Sequence, residues 1–356
     1  MKVLVAGWIG STNLGDELVF AGVRRLLRPL DVQVAAISVD PGATRRDHGV
    51  GAVDAHDPYA LTRAAGQADL LLFGGGGLLQ DVSSPYNLPY HLLRPLLAAA
   101  RGTPVVGVAL GVGELTTSLG RWLTARSTHR FAAISVRDPA SADLLASIGG
   151  PAATLAADAA LLLPSPQVTP EDRLVVSLRP WASRRSWRPA SSRGDATPQP
   201  EVEALAQSLD RTIERTGSPI RFVALQRDRD DAFHRRVAAA MQRDAVSFAT
   251  PSLDELLPEL ASGHSLVAMR YHAAVGALLA TRPAVQLTYS GKVAALAREL
   301  GPAGAALSFD TAGIARVAEE LERVRTEQHR LPTALRRLRA RAERSHQMLQ
   351  RHLTGA

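Results

Sequence analysis

Cysteine is absent from the 356-residue chain. That excludes a disulfide framework, a thiolate nucleophile and a Cys-ligated zinc site, and the chain needs no oxidising compartment. Lysine is almost absent too. Only Lys2 and Lys292 occur, and every other basic side chain apart from histidine is arginine. Aromatic residues make up 4%, and no zinc-finger or RRM-type signature is present, which argues against a dedicated nucleic-acid binder. No apolar run approaches the ~20 residues of a membrane helix. Arg94, Arg101 and Pro104, or Arg282 and Pro283, interrupt the most apolar stretches. The opening run Met1–Gly7 meets Asn13, Asp16 and Glu17 too soon for a signal peptide. The expectation is a soluble cytoplasmic protein.

What is present points to a folded chain with an anionic partner. Hydrophobic residues make up 46%, too many for disorder. The net charge of +7 suits nucleic acid, a phosphate-bearing ligand or a membrane surface. Residues 333–356 hold six Arg and one Glu, so most of that charge is local. There Leu335, Leu338, Ala342, Leu349 and Leu353 fall near one helical face. Two readings of this tail stand side by side: peripheral contact with the inner membrane face, or packing across the domains.

The chain alternates short apolar runs with helical stretches, the pattern of parallel sheets flanked by helices. Lys2–Gly7, Val32–Val39, Leu70–Phe73, Val105–Leu110 and Ala132–Val136 read as strands. After Pro164, Pro166 and Pro170 the pattern restarts, with strands at Leu174–Leu178, Ile220–Leu225, Leu266–Met269 and Ala284–Leu287. Two α/β domains are expected, 1–165 and 170–332, with the tail helix 333–356 after them. Ala182–Pro200 is rich in Arg, Ser and Pro and reads as a loop.

Six segments carry candidate chemistry, most of them after an apolar strand. Gly7 to Glu17, containing Asn13, Asp16 and Glu17, opens a helix and lacks the dinucleotide fingerprint spacing. Gly74-Gly75-Gly76-Gly77-Leu78-Leu79-Gln80-Asp81 lets backbone approach a ligand, with Asp81 at the rim. Ser135-Val136-Arg137-Asp138 with Ser141 reads as structural, Asp138 capping a helix. Arg179, stiffened by Pro180, offers a fork of donors suited to carboxylate or phosphate. Arg270-Tyr271-His272 combines an anion clamp with a group that moves protons near neutral pH. Tyr289-Ser290-Gly291-Lys292 places one of two lysines just before a helix.

Together and in this order, these segments resemble the polysaccharide pyruvyltransferase family, especially its bacterial CsaB-like branch. That branch shows N-x-G-D-E, G-G-G-x-L-x-Q-D, V-R-D-x-x-S, S-x-R-x-W, R-L-H and Y-D-P-K-V segments. This chain departs by carrying Tyr271 in the triplet, Ser290-Gly291 before Lys292, and G-V-A-L-G-V-G-E over Gly107–Glu114. The last departure leaves the acceptor open.

The resemblance implies a GT-B-like α/β fold, two Rossmann-like parallel-sheet domains facing a central cleft. It implies transfer of a pyruvate ketal from phosphoenolpyruvate to a sugar of a lipid-linked cell-wall polysaccharide precursor, with N-acetylmannosamine as the acceptor sugar. Phosphate is released, and the ketal helps anchor S-layer proteins. No cofactor or metal is demanded. On this reading Arg179, Arg270 and Lys292 hold the donor, with Tyr289 beside them. His272 is the general acid or a phosphate-orienting donor. Asn13, Asp16 and Asp81 orient the acceptor on the N-terminal domain, Asp81 as the base candidate, and Gly75 and Gly76 bring backbone to the substrate. Two other readings compete. One is a nucleotide-sugar glycosyltransferase on the same fold, and the other is a non-enzymatic binder at the membrane surface.

Overall fold

A computed structural model describes residues 1–82, 84–181, 197–289 and 291–354, without the side chains of residues 291–293 and 354. Most of the Ala182–Pro200 stretch therefore lies outside the described residues. The chain divides into two compact units, each built on its own sheet.

The first unit contains β1 (Lys2–Ile9), β2 (Gln33–Ser38), β3 (Gly51–Asp54), β4 (Leu70–Leu79), β5 (Val105–Val112), β6 (Ala133–Val136) and β7 (Thr154–Leu155). Its helices are α1 (Leu14–Leu27), α2 (Pro41–His48), α3 (Pro58–Gln67), α4 (Asn87–Ala100), α5 (Ser118–Thr128) and α6 (Pro139–Ser147). The strands are parallel in the order β3-β2-β1-β4-β5-β6-β7. Central strands such as β5 are buried along their whole length, which is why they read as unbroken apolar runs.

The second unit contains β8 (Glu171–Ser177), β9 (Ile220–Val223), β10 (Val246–Ala249), β11 (Gly263–Ala268), β12 (Ala284–Thr288) and β13 (Ala305–Ser308). Around them lie α7 (Gln199–Thr216), α8 (Arg227–Ala239), α9 (Leu253–Ala261), α10 (Tyr271–Leu279), α11 (Gly291–Leu300), α12 (Thr311–Ala315) and α13 (Val317–Thr326). The order is β10-β9-β8-β11-β12-β13, again parallel. Both sheets are thus doubly wound, and each reverses strand order once, at β1/β4 and at β8/β11. Ligand crevices in such sheets open at the carboxyl ends of the strands on either side of that reversal.

β4 runs further than the apolar pattern predicts. The expected strand ends at Phe73, but β4 continues through the four glycines to Leu79, with a register shift against β5 after Gly76. Gly75 has φ +80 and Gly76 +84, where glycine alone is unstrained. A Cβ on Gly75 would lie 2.2 Å from Val19 Cγ1. The glycines therefore let the strand bulge against α1.

The last helix, α14 (Leu331–Thr354), starts in the second unit and joins the first from Arg337 onward. Leu338, Ala342, Met348 and Leu349 are buried, so in this stretch the tail's apolar side faces protein. Arg339 donates from Nε to the Leu161 carbonyl (2.9 Å) and from Nη2 to that of Leu163 (2.7 Å). Buried Ser345 bonds Ser135 Oγ at 2.8 Å, and Ser135 Oγ accepts the Ala109 amide at 2.9 Å. Ala109 sits in the left-handed region at φ +47, so its amide is turned out of the β5 ladder and needs this partner. From Arg337 onward the tail's apolar stripe is part of the first unit. No helix among the described residues is long and apolar enough to cross a membrane.

Candidate functional site

Four of the six segments singled out by sequence lie at the strands flanking the two order reversals, while Arg137 follows β6 and Tyr289 follows β12. In the first unit these four follow β1 and β4, and in the second they follow β8 and β11.

In the first unit Glu17 is 3% exposed and organises the turn after β1. Its Oε1 accepts the Ser11 amide at 3.0 Å, and its Oε2 meets His48 Nε2 at 2.8 Å. The nearby Asp16 carboxylate lies over the glycine run: a Cβ on Gly76 would be 3.5 Å from Asp16 Oδ1. Asp16, Gly75 and Gly76 therefore share one place.

Asp81, the base candidate, is held by the start of α5. Its Oδ1 accepts from Thr116 N (2.7 Å) and Thr116 Oγ1 (2.9 Å). Its Oδ2 accepts from Thr117 N (2.9 Å) and Thr117 Oγ1 (2.7 Å). Partial burial pushes its pKa up, but these four donors outweigh it and hold the carboxyl below its ordinary value. A carboxylate saturated with donors is a weak base. The geometry gives Asp81 the task of tying the end of β4 to the start of α5.

Arg137 is buried between Asp138 (3.4 Å) and Asp158 (3.1 Å), and Asp138 caps α6 by accepting the Ser141 amide at 2.7 Å. This segment is structural, as its pattern predicts.

The second unit holds the denser arrangement. Arg270 closes β11 and is 6% exposed. Its Nε donates to Asp230 Oδ2 at 2.9 Å, and its Nη2 bonds Asp230 Oδ1 and, at 3.1 Å, Gln226 Oε1. Asp230 is fully buried and also accepts the amides of Leu225 (3.1 Å) and Gln226 (2.9 Å). The Arg270 charge, expected to clamp an anion, is paired here with Asp230. Its work is to fix the loop from β9 to α8.

That loop holds a piece of chain from far away. Thr12–Gly15 belongs to the second unit. Leu14 donates its amide to the Leu225 carbonyl at 2.9 Å, Asn13 forms an antiparallel bridge with Gln226, and Gln226 Nε2 donates to Thr12 Oγ1 at 3.2 Å. Asn13 was expected on the N-terminal domain; backbone pairing assigns it to the second unit instead. Asn13 Oδ1 accepts the Gly15 amide at 3.3 Å.

Gly15 is pressed against His272. A Cβ there would lie 2.7 Å from His272 Nδ1 and 3.1 Å from its Cβ. His272 is 9% exposed and sits in the first turn of α10, where the helix dipole favours an anion.

Beyond β8, Arg179 Nη1 donates to Tyr289 Oη at 3.1 Å, and the guanidinium carbon lies 5.3 Å from the Tyr289 ring centroid. Trp181 packs on the other contact of that ring, centroids 4.2 Å apart. Sequence reasoning did not anticipate Trp181 against Tyr289. Lys292 lies in the first turn of α11, and its side chain is outside the described residues.

Sequence reasoning also missed Gln226, Asp230 and His234. His234 Nε2 lies 3.0 Å from Leu178 N and 3.1 Å from Leu178 O, supporting the backbone just before Arg179. Burial, foremost, lowers its pKa to about 4. Among the described residues no cluster of three or more His, Asp or Glu is arranged to hold a metal ion. A cavity of about 970 Å³ opens by Lys2, Val34 and Gly51, at the amino ends of β1, β2 and β3, away from these segments. Its volume does not make it the site, because the crevice of a doubly wound sheet lies at the other end.

Comparison with known proteins adds three findings. The sequence model of the family described as polysaccharide pyruvyl transferase matches residues 13–291. No curated protein sequence matches. Solved structures match along nearly the whole chain at low identity. A putative UDP-N-acetylglucosamine 2-epimerase from Listeria monocytogenes is 12% identical, with 100% of this chain and 97% of that one covered, at a TM-score of 0.66. The S. aureus MnaA–UDP co-structure gives 11%, 99% and 97%, and 0.67. A glycosyltransferase from Rickettsia africae gives 9%, 99% and 98%, and 0.61. At such identity the likeness shows the fold alone, two Rossmann-like units of the GT-B type.

Proposed function

The chain belongs to the polysaccharide pyruvyl transferase family, and from that premise we propose that it forms a pyruvate ketal on a sugar, using phosphoenolpyruvate as donor. The acceptor on this reading is a lipid-linked cell-wall glycan precursor of the kind used by the CsaB-like branch, with N-acetylmannosamine as the modified sugar. No cofactor takes part.

The observation that carries the proposal is the meeting of two distant segments. Gly15, from the N-x-G-D-E turn, seats against His272 of the R-x-H triplet, and the Asp230–Arg270–Gln226 network locks both in place. A buried network of this kind pre-organises a reacting group.

The chemistry then distributes as follows. A proton goes to the methylene carbon of phosphoenolpyruvate, and C2 gains cationic character. One sugar hydroxyl attacks C2 and gives up its proton. The C2–O bond to phosphate breaks, phosphate leaves, and the second hydroxyl closes the ketal with loss of its own proton. His272 delivers the first proton or orients the phosphate that departs. The α10 amino terminus and Arg179, whose guanidinium fork suits a carboxylate or phosphate, hold the anionic groups of the donor. Lys292 adds a compact cation at the start of α11. Asp16, with the Gly75–Gly76 backbone, orients the acceptor, and Asn13 works through Gly15 beside His272.

The test is phosphate release from phosphoenolpyruvate across a panel of lipid-linked and synthetic disaccharide acceptors. His272→Ala should lower turnover ~10²-fold or more. Arg179→Ala should chiefly raise KM for the donor. No release with any acceptor, together with a thermal shift on UDP-sugars but not on phosphoenolpyruvate, would replace this reading with a nucleotide-sugar enzyme.

A further inference from the structure

Helix α4 is apolar on both sides. Its buried side carries Leu88, Leu92 and Ala98, as an amphipathic helix requires. Its outer side should then be polar. Instead Leu93 is 56% exposed, Tyr86 just before the helix is 77% exposed, and Pro89 between them is also exposed. The single charged residue of α4, Arg94, is only 4% exposed, its guanidinium carbon 3.6 Å from the Tyr90 ring centroid.

Helix α5 packs beside α4. A Cβ on its Gly120 would lie 3.1 Å from Leu88 Cδ1. Leu119 and Trp122 project outward, 63% and 60% exposed, with Arg121 and Arg126 exposed next to them. Large apolar side chains left in water on two adjoining helices mark an interaction surface.

Charge decides the partner. From Asp81 to Arg130 the exposed arginines are Arg101, Arg121, Arg126 and Arg130, against two acids, Glu114 and Asp81, the latter already bonded to Thr116 and Thr117. An apolar centre bordered by arginine, with almost no carboxylate, suits an anionic surface. A second copy of the chain fits poorly, because a two-fold interface would set arginine against arginine.

We propose that the outer face of α4 and α5 docks on an anionic lipid bilayer. Leu93, Leu119 and Trp122 enter the boundary between headgroups and acyl chains, and Arg121 and Arg126 lie at the lipid phosphates. The site is in the first unit and does not involve the tail. It stands independently of the reaction, since binding is read without donor or acceptor.

The experiment is co-sedimentation of the full chain with vesicles of phosphatidylcholine alone or with 30% phosphatidylglycerol. The wild type should bind the anionic vesicles at least tenfold better. Leu93→Asp/Trp122→Asp should cut binding tenfold or more, with thermal stability and phosphate release on a soluble acceptor unchanged. Arg121→Gln/Arg126→Gln should cut it ~25-fold, about fivefold per cation, and Arg351→Gln in the tail should leave it close to wild type. The proposal is overturned if the wild type ignores anionic vesicles or the aspartate variant binds like wild type. It is also overturned if Arg351→Gln abolishes binding, or if light scattering shows a wild-type dimer that the aspartate variant dissolves.

Discussion

Replacing Asp230 by alanine tests whether the family triplet is held rather than open. The Asp230 side chain is 0% exposed and Arg270 is 7% exposed, so removal strands a buried cation and two backbone amides. Breaking a buried pair from one side costs ~3–5 kcal/mol. For a unit of this size each kcal/mol moves Tm by about 2–4 °C, so Asp230→Ala should lower the transition of the second unit by ~6–20 °C. Arg270→Ala should be destabilising too, because it leaves Asp230 charged and buried. The double variant should cost less than the sum of the singles by ~1–3 kcal/mol, the mark of a direct pair. The assay is thermal and urea denaturation of the three variants, alongside phosphate release. Every variant should lose turnover, since the 12–15 segment loses its seat beside His272. If Arg270→Ala leaves Tm within about 2 °C and only raises KM for phosphoenolpyruvate, Arg270 is an open anion clamp and the reasoning fails.

Three further outcomes are expected. Gly15→Ala puts a methyl group 2.7 Å from His272 Nδ1, so kcat should fall at least ~10-fold; an unchanged kcat would show that the His272 position is not critical. His234 has a folded pKa of about 4, lowered mainly by burial. Between about 6.5 and 4 the unfolded chain takes up the proton first, so its stabilising effect is complete above 6.5 and disappears as pH falls towards 4. The loss approaches ~3 kcal/mol, and the difference in urea midpoints between wild type and His234→Gln should narrow over that range; a constant difference would refute it. Ser345→Ala removes the partner of Ser135 and should cost ~1 kcal/mol, read as a Tm drop of ~2–4 °C in the first unit; no drop would mean Ser135 is supported without the tail.

The central strands were legible because a strand stretch buried on both faces is apolar without interruption, as along all of β5 and over residues 3–6 of β1 and 174–176 of β8. The edge strands β3, β7, β10 and β13 were not, being two to four residues long and partly exposed. The end of β4 was misread because glycine carries no strand signal. The placement of candidate positions such as Arg179, His272 and Asp16 at or just after strand ends was legible from the sequence order. Their partners were not. Asp230 lies in Arg227-Asp228-Arg229-Asp230-Asp231, which reads like an exposed charged stretch, and its pairing with Arg270 spans 40 residues. Asp81 likewise meets Thr116 and Thr117 only through folding. The tail's amphipathy is the same whether protein or lipid covers it.

The placement of α14 also bears on how the protein assembles. Since Arg337 onward returns to the first unit, Pro164–Arg336 is an insertion in sequence between two parts of one folding unit. The inserted unit has nearly all of its strands and helices in one continuous stretch. The first unit must wait for Ser345 to arrive before Ser135 and the turned amide of Ala109 complete their hydrogen bonds. During synthesis the later sheet can therefore close its core while the earlier one is still open along the α14 face, the reverse of the usual N-terminal-first order.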